Sequence, residues 1–365
     1  MLALEATMNA ELQLLAMLVH RGLVDAAAAR AAMQSGDVRG WLVANGKCTA
    51  AQWAQWVATA AGTRPQLSRY EVGELIGEGG TARVFRAVDR TDGRTVALKV
   101  LRPEMTKNAA QVEAFVREAR LLLELQHEHI VRGYRVAKEG DVFFFAMEEL
   151  PGRCLQDQLR DSGRLDEETA LEITVEVASA LGALHARGLV HRDVKPGNVI
   201  WSEERGAVLI DLGFAVPRAA QSGGTESAKT AGTVHYIAPE QAKGGELDVR
   251  ADIYALGATL YHLVTGSLPF EGNSSEEVLR KQVLESLSGE RIRALNLSPQ
   301  LHYFIEKMMA KEREIRFQDP AQLEREMRAW LDAQKAQREL EEQAERDRPR
   351  LGANSAAERR RRRRR

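Results

Sequence analysis

The hydrophobic pattern changes period near residue 151, and this limits the fold more than any composition figure. Between residues 70 and 151 the chain alternates, as in Thr95-Val96-Ala97-Leu98-Lys99-Val100, or gathers its apolar residues into short blocks such as Asp141-Val142-Phe143-Phe144-Phe145-Ala146-Met147. Both are strand signals. A single helical pattern, 109–125, interrupts them. From about residue 165 apolar side chains recur at helical spacing over 167–187, 251–266, 276–288, 298–310 and 320–333. Asp319-Pro320 suits the start of the last, with a capping side chain and a proline in the first helical position. A mainly β lobe with one helix is therefore followed by a mainly helical region, an α+β arrangement.

Two segments lie outside this pattern. Residues 1–66 are rich in Ala, Leu and Trp, with Leu14, Met17 and Leu18 at helical spacing. Gly22-Leu23-Val24-Asp25-Ala26-Ala27 is echoed by Gly46-Lys47-Cys48-Thr49-Ala50-Ala51. In each, glycine ends one helix and Asp25 or Thr49 can cap the next. Two such units predict a small all-α bundle over 1–62, with Trp41, Trp53 and Trp56 as core and a docking role as the sharper reading. A linker over 63–69 follows. After Leu331 the apolar face fades, and 333–365 reads as a charged helical or disordered tail. Residues 332–365 carry twelve basic and seven acidic side chains and end in Arg359–Arg365. That run suits weak polyanion binding, although nothing aromatic interleaves with it for base stacking.

Composition excludes several classes. The 365 residues carry a net charge of −1, against a globally basic nucleic-acid binder. Two cysteines, Cys48 and Cys154, far apart and without a histidine cluster, exclude a disulfide framework and an ordinary structural zinc site. No run of about 18 apolar residues suggests a membrane span. The start does not read as a signal peptide, so a cytoplasmic location is expected.

Chemistry first shows in Ile76-Gly77-Glu78-Gly79-Gly80-Thr81-Ala82-Arg83-Val84, a glycine-rich turn between strands. Backbone N–H groups there can approach phosphate oxygens without a side chain in the way. Alone, a plain hairpin turn explains it as well. Lys99 lies inside an apolar strand and needs a partner for its charge; Glu118, on the next helix, can supply one. His191-Arg192-Asp193-Val194-Lys195-Pro196-Gly197-Asn198, Asp211-Leu212-Gly213 and Gly232-Thr233-Val234-His235-Tyr236-Ile237-Ala238-Pro239-Glu240 follow in order. Phosphoryl transfer needs a carboxylate at the attacking hydroxyl, oxygen ligands for a metal and cations for the phosphates. Every one of these residue types is present.

In these motifs residues 70–332 closely resemble the eukaryotic-like serine/threonine protein kinases of bacteria. The resemblance implies a bilobal protein-kinase fold, with an N-lobe at 70–151 and a C-lobe at 152–332. It implies ATP and Mg²⁺ as cofactors, with Mn²⁺ as an alternative ion, and proteins bearing Ser or Thr as substrates. The loop 77–84 would cover the phosphates. Lys99, paired with Glu118, would hold the α- and β-phosphates. Asp193 would accept or orient the hydroxyl proton, and Lys195 would neutralise the moving phosphoryl group. Asn198 and Asp211 would bind the metal. Ile76, Val84, Ala97, Met147 and Ile200 would wall the adenine slot, beside the Glu148 carbonyl and the Leu150 backbone. Asp252 would brace the catalytic loop, and Glu240 with Arg316 would anchor the end of the activation segment. Lys195 and Thr233 are the family's serine/threonine signature.

Arg192 would bind a phosphate on the segment 211–240, where Thr225, Ser227 and Thr230 are candidates for autophosphorylation, with self-association for transfer in trans. Two departures, Leu212 for the usual Phe and Ala82 at the third glycine, touch no charged catalytic group. The alternative is a pseudokinase scaffold that binds nucleotide, against which the intact charged set argues. A small-molecule phosphotransferase would lack the Ala238-Pro239-Glu240 segment.

Overall fold

A computed structural model describes residues 14, 15, 18, 19, 23–53, 64–213, 215–217, 233–287, 293 and 297–346. The chain divides into two compact units. The first runs through Glu124 and adds Arg132–Glu149; the second takes Leu125–Val131 and everything from Leu150.

The first unit opens with the helical segment. Helix α1 (Ala26–Ser35) is capped by Asp25, whose carboxylate accepts from the Ala28 N–H at 2.7 Å. Gly36, at φ 74°, ends it. Helix α2 (Val38–Ala44) is capped by Asp37. Thr49 and Gln52 bond reciprocally at 3.1 and 2.8 Å, a capping box for the next turn. The two echoed positions, Asp25 and Thr49, are thus both helix starts. The core joins Leu14, Leu15, Leu18, Val24, Ala32, Leu42, Cys48 and Trp53, with Trp41 packed against it. Met17 and Trp56 lie outside the described residues. Burial pushes the Cys48 thiol up, away from reactivity.

The rest of this unit is an antiparallel sheet of order β1-β2-β3-β5-β4. Its strands are β1 (Tyr70–Glu78), β2 (Ala82–Asp89), β3 (Thr95–Leu101), β4 (Gly133–Glu139) and β5 (Val142–Glu148), with helix α3 (Ala109–Glu124) between β3 and β4. Alternation puts Val96, Leu98 and Val100 on one face with Tyr70, Phe85 and Phe144, and so Ala97 and Lys99 on the other. The β1–β2 register shifts between Leu75 and Gly77, where the chain enters the glycine turn. Gly133 is glycine because α3 approaches β4 closely: a Cβ there would fall 2.8 Å from the Leu122 carbonyl carbon.

The second unit is mainly helical. Strands β6 (Arg153–Cys154), β8 (Val199–Ser202) and β9 (Gly206–Leu209) make one small sheet, and β7 (Leu189–Val190) pairs with β10 (Val216–Pro217) in another. Helices α4 (Leu155–Ser162), α5 (Glu167–His185), α6 (Pro239–Ala242), α7 (Val249–Thr265), α8 (Ser275–Leu284), α9 (Pro299–Met308) and α10 (Pro320–Arg346) complete it. Helix α7 is apolar nearly all round and buried along most of its length, as a central helix must be. Its Gly257 lets α9 in, since a Cβ would meet Met308 at 2.7 Å.

Helix α10 runs well past the apolar pattern that ends near 333. Leu323, Met327 and Leu331 bury its first turns. Beyond them, charge replaces hydrophobic contact. Lys335 donates to Glu172 at 2.6 Å and Arg338 makes a two-pronged pair with Glu168 at 2.7 Å, tying the helix to α5. The pair Glu342–Arg346 adds local i,i+4 support. No described helix is long and apolar enough to cross a membrane.

Candidate active site

In the first unit the glycine turn joins β1 to β2. Ile76, Gly77 and Glu78 close β1, Gly79 and Gly80 form the bend, and Val84 lies on β2 opposite Gly77 and Lys99. Ile76 keeps much of its surface exposed. A Cβ on Gly80 would meet nothing within 4 Å, which leaves that backbone open to a ligand. The turn is not loose. Arg102, just beyond β3, donates to the Gly79 carbonyl and the Glu78 carboxylate, both at 2.9 Å, and Arg83 reaches Glu78 at 3.1 Å. This clamp has no fixed spacing, and the sequence pattern did not signal it.

Lys99 and Glu118 meet at 2.6 Å, the lysine half-buried and the carboxylate buried. The Phe145 ring lies 5.5 Å from the ammonium and adds a cation–π contact. On β5, Met147 is buried and stands opposite Ala97, so two of the expected slot walls are sheet neighbours. The Glu148 N–H donates to the Arg132 carbonyl at 2.8 Å.

In the second unit the segment after β7 gathers the charged groups. Lys195 Nζ lies 3.0 and 2.7 Å from the two Asp193 carboxylate oxygens. The Asn198 amide donates to the Asp193 carbonyl at 2.8 Å and to its carboxylate at 2.9 Å. Asn198 ends a 3₁₀ turn, Pro196–Asn198, and leads into β8; Asp211 follows β9. Val199 pairs with Leu209, and the Ile210 N–H donates to the Asn198 carbonyl at 3.0 Å. The hairpin therefore sets Asn198 and Asp211 at the same open end. The Asp211 carboxylate accepts from the Gly213 N–H at 2.8 Å. Ile200 lies on β8 opposite Cys154. Leu150 is half-buried at the start of the unit.

The segment His191–Asn198 is braced from behind. Asp252, buried on α7, accepts from the N–H groups of His191 at 2.8 Å and Arg192 at 2.7 Å. Burial pushes its carboxyl up, while these N–H bonds and the Arg192 guanidinium pull the other way. His191 Nδ1 accepts from the Asp193 N–H at 3.2 Å, so its proton sits on Nε2, where no partner is found. Cys154 Sγ lies 3.4 Å from the Pro196 carbonyl, a weak donor contact with no signal in the sequence. Farther off, Arg316 and Glu240 form a two-pronged pair at 2.6 and 2.8 Å.

These placements match a known family. The protein kinase domain pattern covers residues 70–326. The chain belongs to the protein kinase family. It is 36% identical over 274 residues to the serine/threonine-protein kinase PknB of Mycobacterium leprae, covering 74% of this chain and 43% of that one. It is 38% identical over 266 residues to a probable serine/threonine-protein kinase of Corynebacterium efficiens, covering 70% and 40%. It is 35% identical over 251 residues to one from Clostridium perfringens, covering 69% and 36%. The chain thus spans about two fifths of the length of the curated relatives it matches. Protein kinases as a family use ATP and a divalent metal. The candidate phosphosites Thr225, Ser227 and Thr230, the side chain of Thr233 and the run Arg359–Arg365 lie outside the described residues.

Proposed function

We propose that the chain transfers the γ-phosphate of MgATP to Ser and Thr hydroxyls of proteins, its own 211–240 segment among them. The observation that carries this is the bonded set Asp193, Lys195 and Asn198. A carboxylate held by a lysine and an amide is fixed in direction, and it can take or orient a hydroxyl proton as the oxygen attacks. Lys195 adds positive charge where negative charge builds up on the transferred group. Lys99, oriented by Glu118, supplies the cation for the α- and β-phosphates, and the glycine turn supplies backbone N–H donors. Ile76, Val84, Ala97, Met147, Glu148, Leu150 and Ile200 serve the base.

The donor set suits a hard divalent ion. Asn198 uses its N–H₂ on Asp193, which turns its carbonyl oxygen outward, and Asp211 adds a carboxylate at the same hairpin end. Two protein oxygens, completed by phosphate and water, are what Mg²⁺ prefers; Mn²⁺ shares the oxygen preference. When bound, the metal neutralises phosphate charge and fixes its orientation. A pseudokinase scaffold would have no use for the Asp193–Lys195 contact.

The test is transfer of labelled γ-phosphate from MgATP to the protein and to a basic protein substrate, with Asp193→Asn in parallel. Label in the wild type that the variant loses supports the reading. No transfer by the wild type under any metal would overturn it. Mapping the label tests the loop sites, since Thr225→Ala, Ser227→Ala and Thr230→Ala together should lower activity.

A further inference from the structure

A fully buried glutamine lies outside every motif used so far. Gln282, on α8, has no exposed surface. Its amide is completely satisfied. Nε2 donates to two successive backbone carbonyls, His235 at 2.7 Å and Val234 at 3.3 Å. Its Oε1 accepts from the Tyr254 hydroxyl at 2.6 Å. A flipped amide would set oxygen against two carbonyls and N–H₂ against a hydroxyl that has its own donor to place, so the network fixes its orientation.

The carbonyls it serves belong to the 3₁₀ turn Thr233–His235, a stretch with no sheet ladder to satisfy it. Gln282 stands in for that ladder. Its own position is held from the other side. Lys311 donates to the Gln282 backbone carbonyl at 2.7 Å and to the Tyr254 hydroxyl at 3.1 Å, beneath the Phe270 ring at 4.3 Å. Arg316, the partner of Glu240, lies 5.0 Å from the Tyr254 ring centre. Apolar contacts of Val234 and Ile237 with Val278 on α8 close the same joint. The strip 234–238 runs directly into α6, whose Gln241 donates to the Arg192 carbonyl at 3.2 Å. Arg192 adjoins Asp193. One run of bonds therefore leads from Lys311 and Tyr254 through Gln282 to the strip and on to the segment that holds the carboxylate.

We propose that Gln282 is a positioning residue: it sets the backbone of residues 234–238 and, through Gln241 and the Arg192 carbonyl, the segment whose Asp193 would meet the acceptor hydroxyl, and not the glycine turn or Lys99 that would hold the nucleotide. This rests on the reading that the chain phosphorylates protein hydroxyls. Gln282 touches no reacting atom. Its loss should loosen the acceptor side and leave the grip on ATP alone. Two substitutions separate the causes. Gln282→Met keeps the volume and removes all three side-chain bonds. Gln282→Glu keeps the acceptor for Tyr254 and sets a second oxygen, in place of the N–H₂, against the Val234 and His235 carbonyls.

The experiment uses the full chain and two readouts. Hydrogen exchange over 233–240 should speed up by about tenfold in both variants, the scale expected for losing these bonds. The KM for a protein substrate should rise by about the same factor, with the KM for ATP within about twofold of wild type. Exchange at the wild-type rate in Gln282→Glu, or equal rises in both KM values, overturns the proposal. Should Gln282→Met not fold, Gln282→Glu alone carries both readouts. The exchange measurement needs no catalysis. A wild type that transfers no phosphate therefore counts against the proposed activity, and unchanged exchange counts against the role of Gln282.

Discussion

At residues 191–193 two buried polar atoms, His191 Nε2 and Arg192 Nε, have no hydrogen-bond partner, and Arg192 is the non-glycine residue with positive φ, at 72°, among the described residues. Around Arg316, in the same unit, nothing is wasted. Its five N–H groups reach both Glu240 oxygens and the carbonyls of Ala310, Arg250 and Lys311. The first region carries strain and unmet polarity; the second meets all of its bonding capacity. Cost of the first kind persists only where surrounding structure over-determines it, and it gathers at working sites. Asp252 supplies that restraint at the catalytic segment. The contrast therefore sets a segment proposed for chemistry against one that serves rigidity.

The sharpest way to break this contrast is Asp193→Asn. Phosphate transfer should fall on the order of 10² to 10⁴-fold, with the thermal midpoint unchanged or raised. A large drop in stability would show that Asp193 belongs with the rigid set. Arg316→Ala should do the reverse. Removing one partner of a buried pair strands the other charge, so unfolding in denaturant should cost about 3–5 kcal/mol less. Activity should fall in step with the folded fraction, and not beyond it.

The same contrast explains what could be read from sequence. The proximity of the charged groups was legible because Asp193, Lys195 and Asn198 lie within one short segment that resembles a family motif, and because Lys99, in an apolar strand, calls for a carboxylate. The β lobe and the helices of the second unit followed from periodicity. Gln282, Gln241 and Arg102 were not legible. Each is a lone polar residue whose partners include backbone carbonyls, and a carbonyl is the same at every position of the chain. For the far half of α10 the helical and disordered readings stayed open, and its fastening to α5 was not legible, for a related reason. It has no apolar period, and its ion pairs join residues 163 and 170 positions apart.

Two finer tests follow. At position 192, Gly should be more stable than Ala by about 1 kcal/mol, because both lose the side chain and only Ala retains the left-handed backbone cost. Chemical denaturation of the two variants would measure it; equal stabilities would remove strain from the account of this loop. The smallest effect concerns Asp89, in the first unit, whose carboxylate is gripped by Arg69 and Thr91 and lies at about 2 rather than 3.8. A lowered folded-state value stabilises fully above the ordinary one and is lost as pH falls through about 2. The stability gap between wild type and Asp89→Asn should therefore be widest near pH 5 and vanish by about pH 2. A gap constant with pH would show that the pair contributes through shape alone.

Helix α10 acts as a ruler. Among the described residues, Arg338 is the last whose side chain bonds to α5, through the pair with Glu168, and the helix continues to Arg346. At the ordinary rise this adds about 12 Å of rod beyond the last fastening. Arg346 therefore stands at a set distance and heading from the folded unit. Because two ionic fastenings hold the outer part, and exposed pairs weaken with salt, ionic strength would change how firmly that heading is kept without changing the distance.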